Sequence, residues 1–192
     1  MAQLLNAPHI SEAPPQEARR PVSQRVRPTY VNRGLLLIRL VVGLLFIGHG
    51  SQKLFGWFGG PGIQGWTESL AKNGLQPAPV WAYTEAIGEL GSGILLVLGL
   101  LTPLAAAILI ADMVVAILDV HSSKGLWSQN GGFEYNLVLS VLLLSIGLMG
   151  PGLYSLDRRL PAWPRPHVFV GSLIVTLIVA AFAVVPQHLR PH

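Results

Sequence analysis

Ionisable side chains recur inside stretches of this sequence that are otherwise apolar. Glu85, Glu89 and Ser92 follow one another at intervals of four and three residues, so they share one face of a helix. Asp112 and Asp119 are seven residues apart and share a face of a later stretch. Because an ionisable group is costly inside hydrocarbon, each of these carboxyls marks either a functional site or a paired structural bridge.

Polar side chains also gather at one end of the apolar stretches, where they define a candidate pocket. Its members are His49, Gln52, Lys53, Glu85, Glu89, Asp119, His121, Glu134 and Tyr135. We expect four of them, His49, Glu89, His121 and Glu134, to face one cavity with Glu89 as its floor. Such a pocket suits a small molecule or proton-coupled redox chemistry, because histidine titrates near neutrality and a deeply buried carboxyl can hold a proton.

The same residues also have a purely structural interpretation, which the sequence leaves open. His49 and His121 can end helices at a membrane interface and bond to loop carbonyls. Glu89 can satisfy polar atoms of a neighbouring helix.

Arg39 and Asp112 are predicted to form a buried ion pair. Arg39 precedes His49 by ten residues and Asp112 precedes His121 by nine, which corresponds to ~15 Å and ~13.5 Å along ideal helices. The two side chains therefore reach similar depth if the histidines lie at one height. Since the arginine fork can bond both carboxylate oxygens, the pair would lock two helices together. A proton or substrate role for the pair is the alternative.

No metal or haem site is predicted. The chain has no cysteine, which excludes disulfides, thiolate metal sites and a cysteine nucleophile. Neither Glu-x-x-His nor His-x-x-x-His occurs in the apolar stretches. Aromatic residues lie near one end of these stretches, and they predict an anchoring belt at the membrane interface or, alternatively, packing around a quinone ring. They are Phe55, Trp57, Phe58, Trp66, Trp81 and Trp127.

The grouping of the apolar residues predicts membrane-spanning helices. Of 192 residues, 51% are hydrophobic and 11% are charged, and this charged fraction is less than half of the usual one. From Gly34 onward the apolar residues form five blocks of about 17–22 residues, the length that crosses ~30 Å of hydrocarbon. We predict spans at about 34–50, 80–101, 103–120, 133–149 and 168–185, with an interfacial helix at 63–75.

These elements predict an all-α, polytopic membrane bundle in three parts. Residues 1–33, rich in proline and arginine, are expected to be a disordered cytoplasmic tail. Residues 34–157 form a four-helix membrane domain, and 158–192 add a basic loop and a fifth, C-terminal transmembrane helix. The basic residues behind the net charge of +4 flank the spans and form no groove, so no nucleic-acid partner is expected.

Two segments resemble each other and predict an internal repeat. HGSQKLFGWFGG (49–60) and HSSKGLWSQNGG (121–132) both begin with histidine, end with Gly-Gly and contain serine, lysine and tryptophan. Each follows one predicted span and precedes the next. The four-helix core is therefore predicted to consist of two parallel hairpin repeats, an arrangement that occurs in membrane folds.

Several of these segments together resemble the DoxX family of bacterial and archaeal membrane proteins. The resemblance is carried by RLVVGLLFIGHGSQKLFGWFGGPG (39–62), ELGSGILLVLGLLTPLAA (89–106), DMVVAILDVHSSKGLW (112–127), NGGFEYNL (130–137) and GPGLYSLD (150–157). It covers about residues 34–157 and implies a DoxX-like four-helix membrane domain. It also implies a link to membrane redox complexes, because the family is named for a subunit associated with a terminal quinol oxidase. Other members belong to thiosulfate:quinone oxidoreductase or to complexes that handle thiol and oxidative stress.

The residues and the resemblance together predict an integral protein of the cytoplasmic membrane that acts in redox metabolism near the quinone pool. The expected ligand is a quinone, and the expected partners are the lipid bilayer, redox-complex subunits and further copies of the chain. A small-molecule transporter or binder that uses the candidate pocket is one alternative. A non-catalytic subunit that holds a soluble redox partner at the membrane is another.

The distribution of lysine and arginine predicts the orientation. With the N-terminus inside, eight basic residues lie inside (19, 20, 25, 27, 33, 158, 159 and 165) and four lie outside (53, 72, 124 and 190). We therefore expect an inside N-terminus, an inside 153–166 loop and an outside C-terminus. Alkaline phosphatase fused after His192 should be active and green fluorescent protein at the same position should be dark. The opposite pattern would contradict the odd number of spans.

Overall fold

The computed structural model describes the backbone of residues 28–160 and 166–188, with side chains to Phe182. Within these ranges the chain is all-helical and contains no strand. Its six α-helices are α1 (Thr29–Phe55), α2 (Gly62–Lys72), α3 (Ala78–Leu98), α4 (Thr102–Ala116), α5 (Glu134–Met149) and α6 (Pro166–His188). A π-turn, Ile117–His121, continues α4. This confirms the predicted all-α class, whereas the polytopic bundle of two repeated hairpins and a fifth span stays a prediction.

The first helix is longer than its predicted span of 34–50. It starts at Thr29, so the last residues of the predicted tail are helical, while residues 1–27 lie outside the described part. Asn32 explains the early start, because its side-chain amide donates to the Pro28 carbonyl and its side-chain oxygen accepts from the Leu153 N–H at 3.0 Å. The far end of α1 stops at Gly56, whose left-handed φ of 73° suits glycine.

The outer surface of the bundle is rich in apolar side chains. Two helical stretches, Thr29–Phe55 and Thr102–Lys124, are long and apolar enough by length and composition to cross a bilayer, and Glu134–Met149 and His167–Phe182 are shorter apolar helices. Large side chains such as Leu44, Val141 and Ile174 are exposed. A continuous apolar surface of this kind indicates contact with lipid or with other proteins.

Small residues bring α1 and α3 close together. A Cβ atom at Gly43 would lie 2.8 Å from the Gly93 carbonyl oxygen, and one at Gly93 would lie 2.8 Å from the Gly43 carbonyl oxygen. A Cβ atom at Gly50 would meet the backbone of Leu90. Small residues allow this approach of helix backbones in membrane bundles. The register of α1 against α3 is thereby fixed over most of their length.

The helix α6 packs on α4 and α5. The ring of Phe169 is buried and occupies the space where Gly147 has no side chain. The Thr176 hydroxyl lies 3.2 Å from the Ala107 carbonyl oxygen of α4, and it also bonds to carbonyls of its own helix. These contacts make α6 one wall of the bundle.

Arg39 is fully buried and joins three segments at one end of the bundle, which we call the Arg39 end. Its Nε donates to the Leu96 carbonyl at 2.9 Å, its Nη2 to the Tyr154 carbonyl at 2.9 Å, and its Nη1 to the Pro151 carbonyl. A longer contact of 3.4 Å reaches the Val97 carbonyl. The guanidinium thus satisfies carbonyls from the end of α3 and from the loop after α5.

Asp157 organises the same end by capping α4. Its Oδ1 accepts from the Leu101 N–H at 2.7 Å and its Oδ2 accepts from the Thr102 N–H at 2.9 Å, while its own N–H donates to the Gly99 carbonyl at 2.9 Å. Asp157 is fully buried and lies near enough to act electrostatically on Arg39. Nothing in the local sequence around Asp157 indicated this role, because the helix that it caps begins 55 residues earlier.

The predicted ion pair between Arg39 and Asp112 is not formed. Asp157 holds the start of α4 at the Arg39 end, and Asp112 follows Thr102 by ten residues, which is ~15 Å along the helix. Asp112 therefore lies at the other end of the bundle, beside Lys53 and Glu89. The prediction assumed that His49 and His121 lie at one height, whereas Asp112 lies near His49 and His121 follows Asp112 by nine residues of helix.

We expect Arg39→Lys to destabilise the protein strongly. A lysine ammonium is compact and cannot reach carbonyls from two separate segments, and each buried carbonyl left without a partner costs about 1–3 kcal/mol. The melting temperature of the detergent-solubilised protein should fall by several degrees. Arg33→Lys on the exposed face of α1 is the matched control and should leave it unchanged. Equal melting temperatures for the two variants would show that the fork is not needed.

Candidate functional site

Lys53 lies at the centre of a polar cluster at the opposite end from Arg39. We call Lys53, Trp66, Glu85, Glu89 and Asp112 the Lys53 cluster and this end of the bundle the Lys53 end. The Lys53 ammonium lies 3.1 Å from Glu89 Oε1 and 3.4 Å from Glu85 Oε2. It also lies 4.2 Å from the ring centroid of Trp66, whose indole N–H donates to Glu85 Oε2 at 3.1 Å.

Four helices bring these side chains together. Lys53 stands in the last turn of α1, Trp66 in α2 and Asp112 in α4, while Glu85 and Glu89 are one turn apart on α3. The close approach of α1 to α3 at Gly50, one turn before Lys53, lets the ammonium reach both glutamates. The predicted common face of Glu85 and Glu89 is therefore the face that meets α1.

Glu89 and Asp112 form a carboxyl pair within this cluster. The two side chains are within hydrogen-bonding contact, and Glu89 is only 4% exposed. Glu89 Oε2 and Asp112 Oδ2 are buried, and no N–H or O–H group of the described residues donates to them. A buried polar atom without a partner is costly, so these oxygens are suited to accept a hydrogen bond from a ligand or to share a proton.

The charges of the Lys53 cluster are unequal. Three carboxyl groups face one ammonium. Burying uncompensated charge in a medium of low dielectric costs several kcal/mol per ion. The cluster therefore has the composition of a site that takes up a proton, a cation or a hydrogen-bond donor.

A cavity of about 520 Å³, the larger cavity, lies against this cluster between α3, α4 and α6. Glu85, Glu89 and Asp112 contribute to its wall, and the rest of the lining is almost entirely apolar. Ile87 on α3 and Val175 on α6 stand at its rim and are 56% and 61% exposed. The larger cavity therefore opens sideways, through the apolar surface of the bundle.

A second cavity of about 40 Å³, the smaller cavity, touches two of these carboxyl groups, Glu85 and Asp112, from another direction. Glu85 and Asp112 border both cavities, while Lys53 and Trp66 line only the smaller one. Asp119, a member of the predicted candidate pocket, also lines the smaller cavity.

The predicted residues His49, Gln52 and Tyr135 lie next to the cluster but outside both cavities. The His49 ring is in hydrogen-bonding contact with Gln52, and its centroid lies 6.3 Å from that of Tyr135 and 6.4 Å from that of Phe46. Lys53 and Asp112 are close enough to act electrostatically on His49. His49 is therefore a neighbour of the cluster and not part of its cavity wall.

His121 ends the π-turn after α4, and Glu134 is the first residue of α5, so the two flank the loop that joins these helices. His121 Nδ1 lies 2.6 Å from the Gly131 carbonyl oxygen. Glu134 Oε2 accepts from the backbone N–H and the hydroxyl of Ser128, at 3.1 and 3.0 Å. Neither the larger nor the smaller cavity is lined by His49, His121 or Glu134, and α4 carries His121 nine residues beyond Asp112.

Trp66 and Trp81 have roles that the predicted aromatic belt did not distinguish. Trp66 is part of the Lys53 cluster, and Trp81 lines the larger cavity. Phe55, Trp57 and Phe58 are exposed, as a belt requires. The sequence contains no local signal that pairs Trp66 with Glu85, which lies 19 residues away in the next helix.

We expect Lys53→Met to destabilise the protein, because it leaves Glu85 and Glu89 without their cation. Removing one partner of a buried ion pair costs about 3 kcal/mol or more. The melting temperature should fall, and adding Glu89→Gln should restore part of it. Lys72→Met, on the exposed end of α2, is the control and should have no effect. A double variant no more stable than Lys53→Met alone would contradict this coupling.

Comparison with known proteins places the chain among membrane proteins. The DoxX family model matches residues 34–122. An uncharacterized membrane protein of Mycobacterium tuberculosis is 33% identical over 137 residues, which are 66% of this chain and 80% of that protein. Inner membrane protein YphA of Escherichia coli is 29% identical over 65% of this chain and 89% of its own length.

A further relative carries a functional name. "Putative oxidoreductase CatD" of Bacillus subtilis is 30% identical over 72% of this chain and 90% of its own length. No solved structure matches the chain. The matched family segment contains Lys53, Glu85, Glu89 and Asp112, so the Lys53 cluster lies inside it. This chain is a membrane protein of the DoxX family.

Proposed function

We propose that this protein binds a quinol in the larger cavity and thereby acts in membrane redox metabolism. The observation that carries the proposal is the pair of buried oxygens without partners, Glu89 Oε2 and Asp112 Oδ2, on side chains at the wall of an apolar cavity that opens sideways. A quinol has two hydroxyl donors on a ring and an apolar tail. Its donors match the free acceptors, and its tail matches the remaining wall.

The size of the larger cavity supports this ligand class. Sites for small molecules commonly measure about 300–1,000 Å³ and are mostly apolar, with a few polar groups that fix orientation. The larger cavity, at about 520 Å³, falls within that range. Trp81 and Tyr83 contribute aromatic surface near the carboxyl groups, and Val175 and Val179 of α6 contribute aliphatic surface.

The chemistry expected of the chain is proton transfer. Oxidation of a quinol to a quinone releases two electrons and two protons. Glu89 and Asp112 are placed to accept a proton from a bound hydroxyl, and Lys53 stabilises the ionised form of Glu89 at 3.1 Å. We assign the electron acceptor to a partner subunit at the membrane, and the oxidoreductase name of the Bacillus subtilis relative is consistent with such a role. The orientation with an inside N-terminus is part of the proposal.

A lipophilic amine or other organic cation is the second candidate ligand, and it would make the protein a binder or transporter. The specific observation in its favour is the excess of carboxyl groups over Lys53 in the cluster. A cation in the larger cavity would balance that excess and could pack against Trp81 through a cation–π contact.

Binding to the purified protein in nanodiscs tests the proposal. Decylubiquinol, kept reduced without oxygen, should quench the tryptophan fluorescence of the protein in a saturable way, and the oxidised quinone should bind more weakly. Val179→Trp fills the cavity from α6 and should weaken quinol binding at least tenfold, a loss of ~1.4 kcal/mol. Glu89→Gln should weaken it as well, because an amide presents one acceptor instead of two.

The control is Ile178→Trp, the same substitution one residue earlier. Ile178 is 52% exposed and does not line the cavity, so its variant should bind quinol like the unchanged protein. Equal affinity for both tryptophan variants would contradict the cavity as the binding site. Saturable binding of tetraphenylphosphonium in place of the quinol would favour the cation binder.

A further inference from the structure

The smaller cavity gives the Lys53 cluster a second approach that does not pass through the larger cavity. Its volume of about 40 Å³ exceeds the roughly 10–15 Å³ that one water molecule needs. Lys53, Glu85, Asp112 and Asp119 supply polar atoms to its lining. A purely accidental packing defect would have an apolar wall and stay dry, so this cavity is suited to hold water.

The smaller cavity leads toward the surface at the Lys53 end. Asn73, which ends α2 and is exposed, lines it together with Val120 of the π-turn after α4. Both residues are farther from the Arg39 end than the Lys53 cluster is. The lining of the smaller cavity therefore continues from Asp112 to the ends of the helices.

The opposite direction is closed by the apolar core. Phe46, Leu96, Leu109 and Leu143 have no exposed surface and belong to one continuous cluster of buried residues. This core lies between the Lys53 cluster and the Arg39 end. In the described part of the chain, water thus has an approach to the cluster from the Lys53 end and none through the core.

We infer that the carboxyl groups of the Lys53 cluster separate two compartments, a larger cavity entered from the lipid and a smaller, water-filled cavity that exchanges protons with the solution at the Lys53 end. Glu85 and Asp112 border both cavities together with the apolar Leu75 and Val115, and these four side chains form the partition. This inference deepens the proposed function, because it gives the protons of a bound quinol an exit to one side of the membrane. Its geometry does not depend on which ligand the larger cavity takes.

Single cysteines provide a test with little background, because the chain has no cysteine of its own. Ala116→Cys places a thiol in the wall of the smaller cavity. The silver ion is about as small as water, does not cross bilayers as a free ion and binds thiolates. Protection of the thiol by silver, read as lost maleimide labelling after denaturation, then reports access by water.

Two further cysteines serve as references in reconstituted vesicles. Lys124→Cys, on the exposed loop at the Lys53 end, identifies the side of the membrane on which that end lies. Leu109→Cys lies in the closed core and gives the rate of silver protection for a thiol that water does not reach. Silver added from the side of Lys124 should protect Ala116→Cys at least tenfold faster than Leu109→Cys.

Blocking the smaller cavity should abolish this difference. Adding Val120→Trp to Ala116→Cys should slow protection to the rate of Leu109→Cys, while Val179→Trp in the larger cavity should leave it unchanged. If Ala116→Cys folds poorly, Val120→Cys reports on the same cavity. Protection of these thiols no faster than that of Leu109→Cys, or protection from the opposite side, would overturn the inference. The silver experiment does not involve quinol. Its failure would contradict the water-filled cavity, whereas failure of the quinol-binding experiment would contradict the proposed function.

Discussion

The ion pair between the Lys53 ammonium and Glu89 joins the end of α1 to the middle of α3, and the candidate site depends on it. The ammonium also holds Glu85 and lies over Trp66 of α2. Three helices are thereby fixed around one buried charge. Asp112 of α4 completes the cluster but adds a carboxyl group that no second cation balances. The cluster consequently holds the helices together at this end of the bundle. It also contains carboxyl oxygens that remain available to accept a hydrogen bond.

Arg39 and Lys53, two cations within the described part of the bundle, have opposite roles. Arg39 donates to carbonyls at the end of α3 and in the loop after α5, and Asp157 caps α4 beside it. The Arg39 bonds satisfy backbone carbonyls and the Asp157 bonds satisfy backbone N–H groups that would otherwise be orphaned at helix ends, so both serve the fold. Lys53 instead faces ionisable side chains that border two cavities. The Lys53 end therefore carries the side chains that are suited to bind a ligand or a proton, whereas the polar contacts at the Arg39 end hold the helix ends together.

The larger cavity also depends on α6, which lies outside the matched family segment of residues 34–122. Phe169 docks α6 against Gly147, and Thr176 bonds to the Ala107 carbonyl. Val175 and Val179 then form the wall opposite Glu85 and Glu89. The carboxyl groups thus come from the family segment, whereas the shape of the apolar wall is set by a helix that the family model does not include. Differences in ligand among related chains would be expected to follow differences in this wall.

The sequence by itself determined the helical class, the approximate positions of the helices and the carboxyl face of α3. These properties follow from local patterns, namely blocks of apolar residues and the spacing of Glu85 and Glu89. It also placed Lys53 in the candidate pocket and marked Asp112 as a charge within an apolar stretch. The family resemblance was likewise readable from the motifs around His49 and Glu134.

Only the tertiary structure decided which charges meet. Helix periodicity places a side chain on a face but fixes neither the rotation of one helix against another nor its displacement along the axis. Asp157, which lies 55 residues after Thr102, fixes the position of the start of α4 along the bundle axis. Because of this position, Asp112 lies beside Lys53 and not beside its predicted partner Arg39. The contact of Gly50 with Leu90 brings α1 close enough for Lys53 to reach Glu89. Both effects are contacts between distant parts of the chain, and no local pattern encodes them.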